Sequence, residues 1–228
     1  MTERFKDAVW LPKAQSHYIT VGGAGGIGSV VTFLLSRIEP QQIAIYDDDT
    51  VDTINLSNQL FCSRHVGLPK VSAVSSVCYD FSGYARILLL QEKLTSTSTT
   101  SEVMFSCFDN MEARQTMFDL FVRDMDMYAN QGVEPIFIDG RLTAEQFYIY
   151  VVTRDKVDRY KETLFPDSEA AMLPCGFKGT THNSFMIASK MVAAYTNFCA
   201  NLVTEEPMRE VPFCIENDIF TMTEIITL

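Results

Sequence analysis

The stretch that decides the fold is residues 17–60, HYITVGGAGGIGSVVTFLLSRIEPQQIAIYDDDTVDTINLSNQL. An apolar run at residues 17–21 leads into a glycine-rich turn, and an amphipathic helical pattern follows at residues 27–37. A second apolar run, residues 42–47, leads into three consecutive aspartates. Strand, glycine turn, helix and second strand in this order predict the first half of a parallel sheet with a nucleotide site at the turn.

The alternation of apolar runs and helical patterns continues along the chain. It predicts an α/β fold, a doubly wound, Rossmann-like, mostly parallel sheet with an antiparallel extension, in one domain over residues 1–228. Further parallel strands are expected at residues 85–90, 103–107 and 135–139, and further helices at 70–79, 112–127 and 183–203. Residues 146–152 are expected to add an antiparallel strand, and the acidic segment 205–228 to add a closing strand.

Composition narrows the class of protein. The chain has 228 residues, 47% of them hydrophobic and 21% charged, which is typical of a globular protein with a substantial core. A net charge of -11 argues against a nucleic-acid partner. The six cysteines form no zinc-knuckle spacing and favour free thiols in a reducing cytoplasm. We expect no signal peptide and no membrane span, because polar residues interrupt the apolar region 185–203, which reads as a buried or dimer-facing helix.

The glycines of the turn have separate predicted roles. In Gly23-Ala-Gly25-Gly26-Ile-Gly28, Gly23 permits the tight turn, Gly25 lets backbone amides approach a phosphate, and Gly28 lets the helix lie close to the sheet. Asp47, about twenty residues on, is placed to accept hydrogen bonds from a ribose. These features alone also fit an NAD-dependent oxidoreductase, which therefore remains an alternative.

Three further motifs follow the turn in register. They are DDDTVDTINLSNQLF at residues 47–61, GLPK at 67–70 and CFDNMEAR at 107–114. With the glycine turn they resemble the ThiF/MoeB/HesA family, the bacterial relatives of ubiquitin-activating enzymes, clearly over residues 18–114 and more loosely over 173–198. The resemblance implies ATP-dependent adenylylation of the C-terminal carboxylate of a small ubiquitin-like or sulfur-carrier protein, with release of pyrophosphate. It also implies a flexible tail on that partner, a Mg²⁺ ion and a homodimer.

The resemblance also implies roles for individual residues. Besides the four glycines, the nucleotide site would include Asp47, Asp49, Asn55, Gln59 and Lys70. Asp47 would hold the ribose, Lys70 would contact the phosphates as a point charge, and Asp109 would hold Mg²⁺. Each has a plainer alternative: Asp47 as a turn cap, Lys70 as a solvated lysine, and Asp109 with Asn110 as a helix N-cap. Arg114 is as well suited to a structural ion pair as to ligand binding.

The chain departs from the family pattern at Asn58, where relatives have an arginine for the outer phosphates. Three interpretations remain open. Another cation, Arg4, Arg64 or Lys178, substitutes, including from a second subunit; the chain adenylylates slowly; or it is a non-catalytic nucleotide-binding partner of another subunit. The zinc-binding cysteine pairs of many relatives are also missing, so no zinc site is expected.

Two more residues are candidates for the chemistry. Cys175 lies in a loop before the last long helix, where some relatives have a cysteine that forms a covalent link to the activated partner. Lys178 and a helix N-terminus nearby would favour its thiolate, although an ordinary loop cysteine is the alternative. Arg141 follows the end of a predicted strand, so it is a candidate contact for the carboxylate tail or a phosphate.

Overall fold

One mixed sheet organises the described part of the chain. The structure is a computed structural model that describes residues 2–166, 179–205 and 208–228. Its eight strands lie in the order β3-β2-β1-β4-β5-β6-β7-β8. They are β1 Tyr18–Gly22, β2 Gln42–Tyr46, β3 Ile87–Leu90, β4 Val103–Ser106, β5 Ile136–Leu142, β6 Gln146–Val152, β7 Cys214–Asp218 and β8 Thr223–Thr227. The first five are parallel and the last three antiparallel, so the predicted fold class is confirmed.

Six α-helices accompany the sheet in the described residues. They are α1 Leu11–Ser16, α2 Gly26–Ser36, α3 Lys70–Ser82, α4 Met111–Asn130, α5 Val157–Lys161 and α6 Thr181–Asn201. Short 3-10 turns lie at Glu3–Phe5, Thr53–Ser57, Ser63–His65 and Arg154–Lys156. None of the helices in the described ranges is long and apolar enough to cross a bilayer.

The sheet buries apolar side chains on both faces, as a doubly wound sheet must. On one face, side chains of α2, α3 and α6 pack on β1, β2, β4 and β5, among them Val30, Val74 and Ile187. On the other face, Phe118 and Tyr160 form an aromatic cluster with their ring centroids 4.6 Å apart. The apolar region 185–203 thus packs largely inside the chain's own core, on α2 and the middle of the sheet.

The C-terminal segment differs from its prediction. Instead of one closing strand it forms the β7–β8 hairpin, which continues the sheet antiparallel from β6. Strand β5 also runs three residues further than expected, to Leu142, because its end pairs with β6. Strand boundaries of this kind depend on the neighbouring strand, which local sequence does not specify.

The strand order places a crevice at the middle of the sheet. Strand β1 has β2 on one side and β4 on the other, so the chain winds away from β1 in both directions. Ligands of open α/β sheets bind outside the carboxyl ends of the strands at such a reversal. The glycine turn after β1, the aspartates after β2 and Asp109 after β4 all follow these strand ends.

Candidate functional site

The glycine turn is shaped by contacts that exclude side chains. Gly23 has a φ of +88°, and a Cβ atom there would lie 2.9 Å from the carbonyl oxygen of Cys107. A Cβ atom on Gly28 would lie 1.8 Å from the carbonyl oxygen of Gly23, so the first turn of α2 touches the end of β1 directly. These two glycines are therefore explained by backbone packing, as the sequence predicts for helix and sheet approach.

Gly25 is not explained by packing within the protein. A Cβ atom at this position would meet no atom of the described residues closer than the Gln59 Nε2, at 4.0 Å. Gly25 is also the N-cap of α2, so no N-cap side chain accepts hydrogen bonds from the amides of the first turn. A bare helix N-terminus is suited to an anion, which agrees with the predicted approach of a phosphate.

Asp47 holds the glycine turn in place. Its Oδ2 accepts a hydrogen bond from the Ala24 amide at 2.7 Å, and its Oδ1 accepts one from the Asp49 amide at 2.9 Å. Burial raises the pKa of this carboxyl, while the Ala24 amide and the charge of Lys70 oppose that rise. Asp47 thus acts as a turn cap in the fold, and its contact with a ribose stays a prediction.

Lys70 is buried at the start of α3, so the alternative of a solvated lysine is wrong. Its Nζ lies 2.6 Å from the Oδ2 of Asp49, and its amide donates to the Asp49 carbonyl oxygen at 3.0 Å. The Asp49 side chain is 65% exposed, so in this ion pair the carboxylate faces solvent while the lysine is buried. The sequence places these two residues twenty-one positions apart, and only the fold brings the cation to the carboxyl end of β2.

Two places offer oxygen ligands to a divalent cation. Asp47, Asp48 and Asp49 each present a carboxylate oxygen, all within 4.8 Å of one another. Asp109 is exposed after β4 and accepts a hydrogen bond from the Asn110 amide group at 3.4 Å; among the described residues it is in no cluster of three ligating side chains. Asn110 is the N-cap of α4, its Oδ1 accepting from the Ala113 amide at 2.8 Å, so the predicted N-cap is confirmed.

The segment after the aspartates brings Asn55 and Gln59 to the turn in different ways. Asn55 is engaged in its own 3-10 turn, where its Oδ1 accepts from the Asp52 amide at 2.8 Å. Gln59 has a buried Oε1 atom that accepts no hydrogen bond from any described residue. A buried acceptor without a donor is costly unless a ligand or water supplies one. Gln59, beside Gly25, is therefore the better candidate for nucleotide contact.

The backbone of Asn58 lies close to the start of α2. Its carbonyl oxygen would be 3.3 Å from a Cβ atom placed on Gly26. Two of the cations considered as substitutes for the missing arginine lie in the described ranges: Arg4 is exposed near the N-terminus, and Arg64 forms an ion pair with Asp80. The third, Lys178, and the candidate nucleophile Cys175 lie outside the described residues.

A buried ion-pair network supports the far side of the crevice. Asp139, fully buried in β5, pairs with Arg114 and with the Arg141 Nε at 2.7 Å, and accepts from the Tyr160 hydroxyl at 2.9 Å. Burial alone would raise the pKa of Asp139, but the two guanidinium groups hold it below its usual range. Arg114 also donates to the Phe108 carbonyl oxygen, just before Asp109. Arg114 is therefore a structural partner that fixes this loop.

Arg141 is also built into the fold. Its Nη1 donates to the Thr163 carbonyl oxygen at 2.8 Å, and its guanidinium lies 4.4 Å from the ring centroid of Tyr150. A contact with a phosphate or a carboxylate tail would compete with Asp139. That predicted contact stays untested, and the geometry favours a structural role.

Sequence reasoning missed two buried hydroxyls at this end of the molecule. Ser106 ends β4, in register with Gly22 of β1, and Ser184 lies in the first turn and a half of α6. Both Oγ atoms are buried and neither has a hydrogen-bond partner among the described residues. A serine inside an apolar pattern carries no signal of this in sequence, since only the packing reveals that its hydroxyl is unpaired.

Comparison with known proteins identifies the family of this site. The model of the ThiF family matches residues 5–224. Ubiquitin-like modifier-activating enzyme 5 of Aedes aegypti is 26% identical over 116 residues, which are 43% of this chain and 29% of that protein. Adenylyltransferase and sulfurtransferase UBA4 of Lodderomyces elongisporus is 30% identical over 116 residues, 48% of this chain and 26% of that protein. The chain thus covers about a third or less of these relatives.

Solved structures share the fold. The crystal structure of E. coli MccB with ATP superposes with a TM-score of 0.68 at 14% identity, over 96% of this chain and 65% of that chain. A structure of E. coli MccB with MccA has a TM-score of 0.70 at 13% identity, over 96% of this chain and 65% of that chain. At such identities the likeness concerns the fold. The resemblance read from the motifs is confirmed by the family model, which covers nearly the whole chain: this chain belongs to the ThiF family.

Proposed function

We propose that this chain adenylylates the C-terminal carboxylate of a small ubiquitin-like or sulfur-carrier protein, using ATP and releasing pyrophosphate. The observation that carries the proposal is a grouping at the reversal point of the sheet: a Gly25 against which no described residue packs, a Gln59 Oε1 that has no hydrogen-bond partner there, and a buried Lys70. Open amides and an ammonium group suit phosphates, and the amide oxygen suits a donor on the base or ribose. The donor set therefore fits a nucleotide.

The chemistry needs positioning more than acid–base catalysis. An oxygen of the substrate carboxylate would attack the α-phosphorus of ATP, the bond from that phosphorus to the bridging oxygen would break, and pyrophosphate would leave. The carboxylate is already a nucleophile, so the task of the protein is to hold two anions together and to stabilise the leaving charge. The α2 amides and Lys70 would bind the phosphates. Carboxylates of Asp109 or of Asp47–Asp49 would hold a Mg²⁺ ion, which neutralises phosphate charge when bound.

The names of the relatives indicate the general class of the protein substrate. Two of them are named for ubiquitin-like modifier activation and for adenylyl and sulfur transfer, and one of the MccB structures contains MccA. A small protein or peptide with a flexible tail is therefore the proposed substrate. We further propose that residues 1–228 act as one nucleotide-binding domain and that the chain works as a cytoplasmic homodimer.

Asn58 favours one competing function. Residue 58 is an asparagine at the position to which the family resemblance assigns an arginine, so the chain could bind nucleotide as a non-catalytic partner of another subunit. An assay of pyrophosphate release from ATP, with a carrier protein ending in Gly-Gly, distinguishes the enzyme from the non-catalytic subunit. If the chain is the enzyme, it releases pyrophosphate without any further subunit. If it is a non-catalytic subunit, it binds ATP and releases no pyrophosphate.

Calorimetric titration tests the proposed nucleotide site. Mg·ATP is expected to bind the wild-type chain and to bind Asp109→Ala about tenfold more weakly, since a carboxylate ligand of the cation is lost. Asp119→Ala, an exposed aspartate further along α4, is the matched control and is expected to bind as wild type. Tight binding of NAD that is indifferent to Mg²⁺ and to Asp109 would contradict the proposal and favour the oxidoreductase alternative.

A further inference from the structure

The start of α6 packs on the glycine turn. A Cβ atom placed on Gly26 would lie 2.9 Å from the Ser184 Oγ, so this serine sits directly against the first residue of α2. The Thr181 hydroxyl donates to the Ser57 carbonyl oxygen, one residue before Asn58. The α6 entry turn, residues 181–184, therefore adjoins both the glycine turn and the position where relatives carry an arginine.

Several hydrogen-bond donors of the α6 entry turn have no partner within the described ranges. Its N-cap, Thr180, makes no side-chain hydrogen bond to the helix amides, and the first backbone bond of the helix is that of the Ser184 amide to the Thr180 carbonyl oxygen, at 3.0 Å. The amides of residues 181–183 thus lack an intrahelical partner. The Ser184 side chain is fully buried, and its Oγ is unpartnered among the described residues.

Two helix N-termini meet at this point. The helix α2 begins at Gly26 without a capping side chain, and the longer helix α6 begins beside it. Each N-terminus carries about half a positive charge in its unpaired amides, so two of them side by side favour an anion where one cationic side chain would otherwise be needed. The buried Ser184 hydroxyl, which has no acceptor in the described part of the chain, adds a donor in the same place.

We propose that the α6 entry turn, through the Ser184 hydroxyl and the open amides of residues 181–183, binds the outer phosphates of the nucleotide in place of an arginine at Asn58. The inference rests on the proposed nucleotide site and names a part of it. It makes Ser184 a binding residue for the β- and γ-phosphates, with no role toward adenosine or the α-phosphate. A helix terminus is therefore the anion receptor in this chain.

Titrations with three probes test the assignment: ATP, AMP and inorganic pyrophosphate, each with wild type and Ser184→Ala. Because Ser184→Ala removes a hydrogen bond to a charged group, its affinity for ATP and for pyrophosphate is expected to fall about tenfold or more, and its affinity for AMP to stay unchanged. Ser189→Ala, an exposed serine later on α6, is the matched control and should bind all three probes as wild type. Removing an unpaired hydroxyl leaves the fold intact, and this is checked by thermal unfolding.

A second pair of variants tests the helix terminus without touching the core. His182 is exposed in the first turn of α6, so His182→Asp places a carboxylate beside the open amides, whereas His182→Asn is a neutral control. The aspartate variant is expected to bind pyrophosphate about fivefold more weakly, and the asparagine variant as wild type.

The outcomes separate this inference from the function on which it rests. If wild type binds neither ATP nor AMP, the proposed nucleotide site fails. If wild type binds ATP but Ser184→Ala binds it equally well, or loses AMP and ATP in the same ratio, the phosphate role of Ser184 is overturned and the adenylylation proposal stands. Equal pyrophosphate affinity in the two His182 variants would overturn the role of the α6 terminus.

Discussion

Replacing Asp139 by asparagine removes the only charge that the described structure sets against two buried guanidinium groups. Arg114 and Arg141 both contact this carboxylate, and the Tyr160 hydroxyl donates to it at 2.9 Å. Asparagine has the same shape but cannot balance either cation. Breaking a buried ion pair from one side costs about 3–5 kcal/mol. For a chain of this length that corresponds to a fall of roughly 10 °C in the melting temperature.

Urea unfolding monitored by circular dichroism measures the effect, with Asp126→Asn as the matched control. Asp126 pairs with Arg154 at 2.8 Å, but the two side chains are 69% and 44% exposed, so its loss should cost under about 1 kcal/mol. Because the pKa of Asp139 is lowered in the fold, its stabilisation is present at neutral pH and declines as the pH falls through that lowered value. The asparagine variant should lack this acid dependence. An equal cost for the two variants would refute the reasoning that Asp139 is the counter-ion of the network.

Three further predictions concern the turn, the lysine and a buried histidine. Gly28→Ala should destabilise the fold by more than about 2 kcal/mol, because its Cβ would lie 1.8 Å from the Gly23 carbonyl oxygen, whereas Gly25→Ala should keep the wild-type melting temperature and lose Mg·ATP affinity in calorimetry. Lys70→Met should weaken the binding of Mg·ATP about tenfold. It should change the free energy of unfolding in urea by under about 1 kcal/mol, because the partner carboxylate of Asp49 is 65% exposed. A large loss of stability would contradict a phosphate role for Lys70. Burial, aided by the charge of Lys13, lowers the pKa of His17 from 6.5 to about 4, so the unfolded chain binds the proton more tightly. The free energy of unfolding should therefore be at its maximum above pH 6.5 and about 2 kcal/mol lower at pH 5. In His17→Gln, the free energy of unfolding should fall by less between these two pH values.

The strands of the sheet and its main helices can be predicted from the sequence, because their apolar residues form recognisable local patterns. Strands such as β2 are continuous apolar runs with turn residues on both sides, and α2 follows a glycine turn in an amphipathic pattern. The short helices α1 and α5 have fewer than seven residues each, too few to establish a period, so the sequence does not predict them. The sequence predicts one strand where β7 and β8 form a hairpin, because β8 is exposed along its whole length and shows no buried face.

The candidate site also has residues that the sequence predicts and contacts that it does not. The glycines of the turn, Asp47 and Lys70 are visible in sequence, because each belongs to a motif with fixed local spacing. Their partners are not visible in sequence, because each pair joins two different elements: Asp49 with Lys70, Arg114 with Asp139, and Ser184 with Gly26. A motif records which residue types are present at which spacing. It cannot record which donor the fold leaves unpaired.

The sequence by itself therefore determined the α/β class, the position of the glycine turn and the family, all of which depend on local pattern and order along the chain. The tertiary structure alone decided that Lys70 is buried on Asp49, that Arg141 belongs to a buried ion-pair network, and that the start of α6 lies against the glycine turn. The physical reason is that burial and pairing arise between residues distant in sequence, and the free energies of desolvation and ion pairing depend on those neighbours.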